Sequence, residues 1–389
     1  TMFQSLFDRS VFKSHYYRKI TLRASQSLGA LALVLNLGIP LAQAGDPFRT
    51  SNPAAIGPHT EAAFRAMMER GNYREAAHHL DMAQDAEATD PLVYAMLASL
   101  AYLSEDWSAL QGHARQTLSA AEALQGSSPL RSHLYTAIGH FLEGAHVLSP
   151  AGEGTLRGVP TALSKLEAVY GALGEAKKID PNDPELNLIQ GFMDLQIAVN
   201  LPLTSPRKAI ERLEANAAPE FIADWGIALA YRDLDKLAEA LDRVNGAIVA
   251  TNGQNPQLYH LRAQIFRKQG EAGDPAAFDR ARADFEKALM GANNLPSQIV
   301  GEIAYEYCRN QANLDQMSRD CGAFKRAASQ TTTVWGPEVM PVLEGLTPDA
   351  EAEVAEEDAS DTTTAMEAME GHGAEELDSA GNATNEATN

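Results

Sequence analysis

Two helix-length patterns of small residues, placed one after the other over residues 221–288, constrain this chain more than any other feature. The stretch opens FIADWGIALAYRDLDKLAEALDRVNGAIVATNGQNPQLYHLRAQIFRKQG and closes with ARADFEKALMGA. Ala228, Ala240, Ala247, Ala263, Ala281 and Ala288 fall where paired helices must approach closely. Ile227, Leu229, Tyr231, Leu241, Ile248, Tyr259, Phe266 and Phe285 supply the bulk between them. Apolar residues recurring at intervals of three and four build one face of a helix. Each such hairpin buries its apolar face only against a neighbour, so the fold class this pattern demands is all-α.

Related patterns run on both sides of that stretch. Residues 60–70 and 74–86 read as a first hairpin, capped by Thr60, with Gly71-Asn72-Tyr73 as its turn. A second follows Asp90-Pro91, with helices over 94–103 and 109–124 and Trp107 in the place of the turn tyrosine. A third pairs 130–148 with 161–179 across a long loop, SPAGEGTLRGVP. A fourth pairs 184–199 with 207–216, with Pro202 and Pro206 in its turn. Hairpins five and six occupy the opening stretch, with an insertion over 271–278. The last pairs 297–310 with a helix from about 318 to 329 and is expected to cap the array.

The turn and helix start GNYREAA, the alanine spacing and the Asp-Pro helix stops resemble the tetratricopeptide repeat, which pairs two helices with a period of about 34 residues. The resemblance covers about 60–329 and implies an α-solenoid of about six or seven hairpins. In such an array each unit packs on its neighbours and helix A lines a concave face. The leader together with GDPFRTSNP and TEAAF…GNYREAA resembles an exported cyanobacterial tetratricopeptide-repeat family of unknown function. That likeness implies a periplasmic or thylakoid-lumen location and no known activity.

Residues 1–44 read as an export signal. Arg9, Lys13, Arg18, Lys19 and Arg23 precede an apolar run over 28–41, and Ala42-Gln43-Ala44 offers small side chains at both recognition positions of a signal peptidase. The run is shorter than the ~20 residues of a spanning helix. Cleavage after Ala44 is therefore expected over an uncleaved anchor, with no stable membrane insertion afterwards. Arg18-Lys19 lacks the second arginine of a twin-arginine signal, which favours a Sec-type route. Residues 45–59, with three prolines, read as an extended lead-in.

The net charge is −21, and after Arg326 fifteen Asp and Glu follow with no Lys or Arg. One-signed charge with little apolar content cannot bury enough surface to offset ordering entropy. Residues 347–389 are thus expected to form a disordered, solubilising acidic tail. It follows a transition segment over 330–346, folded back through Val334, Trp335, Val339 and Leu343. The charge opposes nucleic-acid binding, which needs a basic face.

No phosphate-binding loop, G-x-S-x-G, H-E-x-x-H or dinucleotide fingerprint occurs. No catalytic, cofactor or metal site is expected, and the chain reads as a non-enzymatic scaffold for a protein partner. The concave face places Ile222, Trp225, Leu229 and Arg232 in hairpin five and Gln257, His260, Gln264, Arg267 and Lys268 in hairpin six. Tyr102 is their counterpart in hairpin two. Arg232, Arg267 and Lys268 beside Trp225 and His260 suit a peptide or helix gripped through a carboxylate and an aromatic contact. The competing reading puts Trp225 in the core and the basic residues on a solvated face. A periplasmic small-ligand or metal carrier using His133, His140 and His146 is the alternative function; a metal needs such groups to converge with a third ligand. Cys308 and Cys321, the only cysteines, fall in one hairpin and read either as a disulfide or as two buried thiols.

Overall fold

A computed structural model of the protein describes residues 45–200 and 206–343. The export signal (1–44), Pro202 in the fourth turn and the acidic tail (347–389) lie outside the described residues. The chain divides into a first unit ending at Val342, which holds every helix named below, and a second that begins at Leu343. The described residues form fifteen α-helices and no strand, apart from one isolated bridge between Pro296 and Trp335.

The helices pack as neighbouring pairs. The first pair is α1 (Pro58–Phe64), continued by a wider π-turn over Arg65–Glu69, with α2 (Tyr73–Ala86). Next come α3 (Pro91–Leu103) with α4 (Trp107–Ala123), and α5 (Pro129–Leu148) with α7 (Val159–Ile179). Between α5 and α7 the short α6 (Gly154–Arg157) occupies what reads from sequence as plain loop. Then follow α8 (Pro184–Asn200) with α9 (Arg207–Asn216), α10 (Glu220–Asp233) with α11 (Leu237–Ala250), and α12 (Pro256–Glu271) with α13 (Ala276–Leu289). The last pair is α14 (Ser297–Asp315) with α15 (Cys321–Ser329).

Local chemistry explains most of these boundaries. The leading helix of five pairs begins at a proline: Pro58, Pro91, Pro129, Pro184 and Pro256. Proline suits the first helical position because its missing N–H would lack a helical partner there anyway. The side chains of Asp90, Asp183 and Asn255 accept from the backbone N–H groups of Leu92, Leu186 and Gln257, capping three of those starts. In three pairs the turn repeats one geometry, with a left-handed residue two positions before the second helix: Gly71 at φ 63°, Glu105 at 57° and Asp235 at 58°. Only glycine adopts that conformation without strain, so the second and fifth turns carry a small penalty that the first does not.

Several boundaries differ from the sequence reading. Thr60 does not cap α1, which starts at Pro58; its hydroxyl donates instead to Glu87 at 2.6 Å. The insertion placed over 271–278 shrinks to a four-residue turn, because α12 runs through Glu271 and Ala276 already opens α13. In the last pair α14 extends to Asp315 and stops where Gln316 turns left-handed at φ 58°. The transition segment is held through both backbone and side chains, the latter from Trp335, under the Arg74 guanidinium, and Glu338, which accepts from Asn293 at 2.6 Å. Val334 O accepts from Ser297 N at 2.9 Å and Gly336 N donates to Leu295 O at 2.7 Å, while Val334 and Val339 stay exposed.

The leading helices form the interior. Along α3 only Leu100 and Tyr102 reach partial exposure, and in α10 everything from Phe221 to Ala230 except Asp224 is buried. A helix apolar on all sides must be covered on all sides. Gly226 permits close approach to α8, since a Cβ there would lie 2.5 Å from the Phe192 ring. The pairs do not touch sequence neighbours alone. Asn255, at the start of α12, donates to Met68 O at 2.9 Å, and Arg74 of α2 pairs with Glu338 at 3.1 Å. The first pair therefore meets the sixth and the segment that follows the seventh.

The lead-in is an organised strap rather than a merely extended segment. The Asp46 carboxylate accepts from the N–H groups of Phe48 and Ala54, both at 2.8 Å, and Phe48 packs edge-on to Phe64. Arg49 then enters a buried cluster, reaching Asp183 at 2.7 Å, Glu185 at 2.9 Å and Asp46 at 3.0 Å. Beside it Arg131 pairs with Asp90 at 3.1 Å, and Tyr135 donates to Glu185 at 2.6 Å. Burial alone would pull the Arg49 guanidinium down, but the carboxylates of Glu185, Asp183 and Asp46 outweigh it and hold the group above its ordinary pKa. Burial pushes the Glu185 carboxyl up, against the pull of Arg131 and Arg49.

Removing one partner of a buried ion pair strands the other charge, so Arg49→Ala is expected to lower the unfolding free energy by about 3–5 kcal/mol in denaturant titrations. A loss below about 1 kcal/mol would contradict this role.

Candidate functional site

The residues expected on one face of α12 do share it. His260, Gln264, Arg267 and Lys268 lie at intervals of four, seven and eight, which stacks them along one side of a helix. That side faces α10 and α14. Gln264 accepts from Arg232 of α10, and its amide donates to Glu306 of α14 at 2.8 Å. His260 Nε2 meets the same Glu306 oxygen at 2.9 Å, and the His260 ring leans on Phe285. The result is a polar chain, Arg232–Gln264–Glu306–His260, joining three consecutive leading helices.

The cations on this face differ in their partners. Arg232 also pairs with Asp233 at 2.8 Å, and Lys268 pairs with Asp235. Arg267 makes no hydrogen bond or ion pair with the described residues, and its Nε is shielded from solvent. It acts on Glu306 through space. Burial pushes the Glu306 carboxyl up, but the hydrogen bond and charge of His260, followed by Arg267 and Gln264, prevail and lower its pKa to about 2.

Other expected site residues lie elsewhere or deeper. Trp225 and Leu229 are 2% and 3% exposed, so they belong to the core and do not line an open groove. Ile222, Gln257 and His260 are buried as well. The cause is the packing of α10 between neighbours on both sides, which leaves no bare concave face at these positions. Tyr102 packs edge-on against Trp107, which opens α4 of its own pair rather than standing in the turn. His140 contacts Glu143 at 3.1 Å, and the same carboxylate accepts from Lys165 at 2.6 Å. Among the described residues no three His, Cys, Asp or Glu side chains are grouped so as to hold a metal ion, and no helix is long and apolar enough to cross a membrane.

Glu306 was not among the residues expected from sequence, because the last hairpin reads as a cap. A signal exists: Glu306 stands three residues after Ile303 and seven after Ile299, both fully buried. A carboxylate on an apolar stripe of a helix needs a partner across the interface. The structure joins Cys308 and Cys321 in a disulfide with their Cα atoms 5.5 Å apart, tethering α15 to α14 two residues beyond Glu306.

A concavity lies under the strap. It encloses about 710 Å³ and is lined by Phe48, Arg49, Asn52, Leu130, Arg131 and Asn182 among others. Its charged floor is the Arg49–Arg131 cluster, whose guanidiniums already hold carboxylates.

No protein-family model matches this chain, and no curated protein is similar to it at the sequence level.

A carboxylate with a depressed folded pKa stabilises the fold above its unfolded pKa near 4.5, and the contribution is lost as pH falls toward 2. Between pH 6 and pH 3 the wild type should therefore lose about 2 kcal/mol more stability than Glu306→Gln in denaturant titrations; equal losses would contradict the assignment. Replacing both cysteines by serine should lower the unfolding free energy by about 3 kcal/mol, as expected for a short closed loop. The comparison is with the oxidised wild type, and no difference would show that the tether is dispensable.

Proposed function

We propose that this chain is a non-enzymatic binding scaffold, built as a solenoid of tetratricopeptide-like hairpins, that holds a carboxylate of a protein partner at Arg267. The observation that carries the reading is the condition of that side chain. A guanidinium nitrogen removed from water without an acceptor is unfavourable. A peptide C-terminus, or an acidic side chain on a docked helix, would pair with this half-exposed side chain, which has no acceptor among the described residues, in the planar geometry that guanidinium favours. Arg232, Gln264, His260 and Glu306 hold one another and so fix the surroundings of Arg267.

The leader supports export by a Sec-type route with cleavage after Ala44, to a periplasm or thylakoid lumen, and the resemblance to an exported cyanobacterial repeat family points the same way. A scaffold in either compartment fits the role of an assembly factor for a membrane complex. The excess of acidic residues speaks against nucleic acid as the partner. The cleft under the strap favours a second reading, a carrier of a small ligand, and the same experiment separates the two.

The test is affinity capture from native extract with the mature chain 45–389, wild type beside Arg267→Ala. A partner bound at least about tenfold more weakly by the variant is the expected result, as for loss of one charge-assisted contact. A partner held equally by both moves the site away from Arg267. Capture of no protein by either, with thermal stabilisation by small metabolites, establishes the carrier.

A further inference from the structure

The backbone nitrogen of Gly45 donates to Glu61 Oε2 at 2.6 Å, across sixteen residues of chain. Glu61 stands in the first turn of α1 and its side chain is 16% exposed. Its other oxygen accepts from Arg65 Nε at 2.8 Å, and Arg65 extends to Glu69 at 3.2 Å. The carboxylate is therefore held in place from the helix side, with one oxygen turned to Gly45. The chain after Gly45 is fixed equally well. Asp46 is buried and binds the N–H groups of Phe48, Arg49 and Ala54, and Arg49 is locked to Asp183. The position of the Gly45 nitrogen is thus set by residues that follow it.

We propose that removal of the leader at the Ala44–Gly45 bond is a folding step as well as a sorting step: the α-ammonium it creates at Gly45 forms an ion pair with Glu61 and completes the first hairpin. This rests on the export reading above and adds to it a structural use for the new terminus. In the uncut chain the group is a peptide N–H, with one donor and no charge. A signal peptidase adds water across the bond, leaving a carboxylate on Ala44 and an amine on Gly45. That amine takes up a proton at neutral pH, its ordinary pKa being about 7.7–8.0. The same contact then joins opposite charges, and charge-assisted hydrogen bonds are about twice as strong as neutral ones. The consequence reaches beyond the terminus, because residues 45–54 carry Asp46 and Arg49 into the buried cluster that ties α3, α5 and α8 together.

Two measurements test this. The full chain is first expressed with export, and the N-terminus of the exported product is sequenced. Gly45-Asp46-Pro47-Phe48 is expected, and any other terminus overturns the processing site. A chain retained whole overturns the export reading and the maturation step with it. Second, the chain 45–389 is released from a fusion without added residues, and its thermal unfolding is followed with a free and with an acetylated Gly45 amine. A form that keeps Ala42-Gln43-Ala44 is run beside them, in wild-type and Glu61→Gln backgrounds. Acetylation, or displacement of the charge by three residues, should lower Tm by about 2 °C in the wild-type background and by less than about 0.5 °C in the Glu61→Gln background. Equal shifts in both backgrounds, or none in either, overturn the ion pair while leaving the export reading standing.

Discussion

A guanidinium closed in among carboxylates is the constraint to which the rest of this fold answers. Arg49 belongs to a strap with no regular secondary structure, yet its partners besides Asp46 sit at the start of α8, more than 130 residues away. Its two nearest acids are Asp183, which also caps α8, and Glu185, which also accepts from Tyr135 of α5. Arg131 repeats the device one helix along by holding Asp90, the cap of α3. Such pairs add little net stability compared with a well-packed apolar core, because desolvation offsets the attraction. What they add is selectivity among arrangements. Sliding α8 against α5 by one turn would leave several buried charges without partners, and each would carry a desolvation penalty of several kcal/mol.

Closure follows from the same need to cover buried faces. Helices α3 and α10 are apolar around nearly their whole circumference, so an array that bared one side of them to water would be unstable. The first and sixth pairs meet through Asn255 and Met68, and the segment around Trp335 lies against α2 through Arg74 and Glu338. Stability in a one-dimensional stack is a sum over neighbouring units. Here contacts between distant pairs add long-range terms, which couple the first pair to the sixth and to the segment around Trp335 and make fraying of the first pair less favourable.

How far the sequence disclosed this depends on which interaction set each feature. The paired helices were legible because small and large apolar residues recur at helical spacing, whereas the Asp-Pro and Asn-Pro caps were not legible as starts, Asp-Pro reading only as a helix stop. The turn at Gly71 was legible for the same local reason. The alignment of His260, Gln264, Arg267 and Lys268 on one face was also readable, because helical period alone fixes it. The burial of Leu229 was not, since it depends on what lies across from α10, and Trp225 read equally as groove or as core, of which the structure shows the core. Glu306, Arg49 and Glu185 escaped notice because their partners are remote in sequence: a lone carboxylate on an apolar stripe announces that something pairs with it, without saying what. The boundaries of α14 and α15 moved for a further reason, the left-handed turn at Gln316, which no side-chain pattern foretells.

The polar chain across α10, α12 and α14 also bears on how a partner would be selected. The protein is strongly acidic as a whole, with a net charge of −21, so its long-range field repels a carboxylate-bearing partner. That field is screened within about 8 Å at physiological ionic strength. In the proposed reading Arg267 would act at contact, where restricted water makes the attraction stronger than at an open surface. Recognition of an acidic group would therefore rest on fit at short range rather than on electrostatic steering, which points to a modest association rate and to discrimination expressed in the dissociation rate. Under the proposed reading Glu306 would sharpen that discrimination. Its charge persists well below neutral pH and lies close enough to influence Arg267, so in the proposed complex a second carboxylate would be accepted only where it met the guanidinium and stayed clear of Glu306, a condition on geometry and not merely on charge.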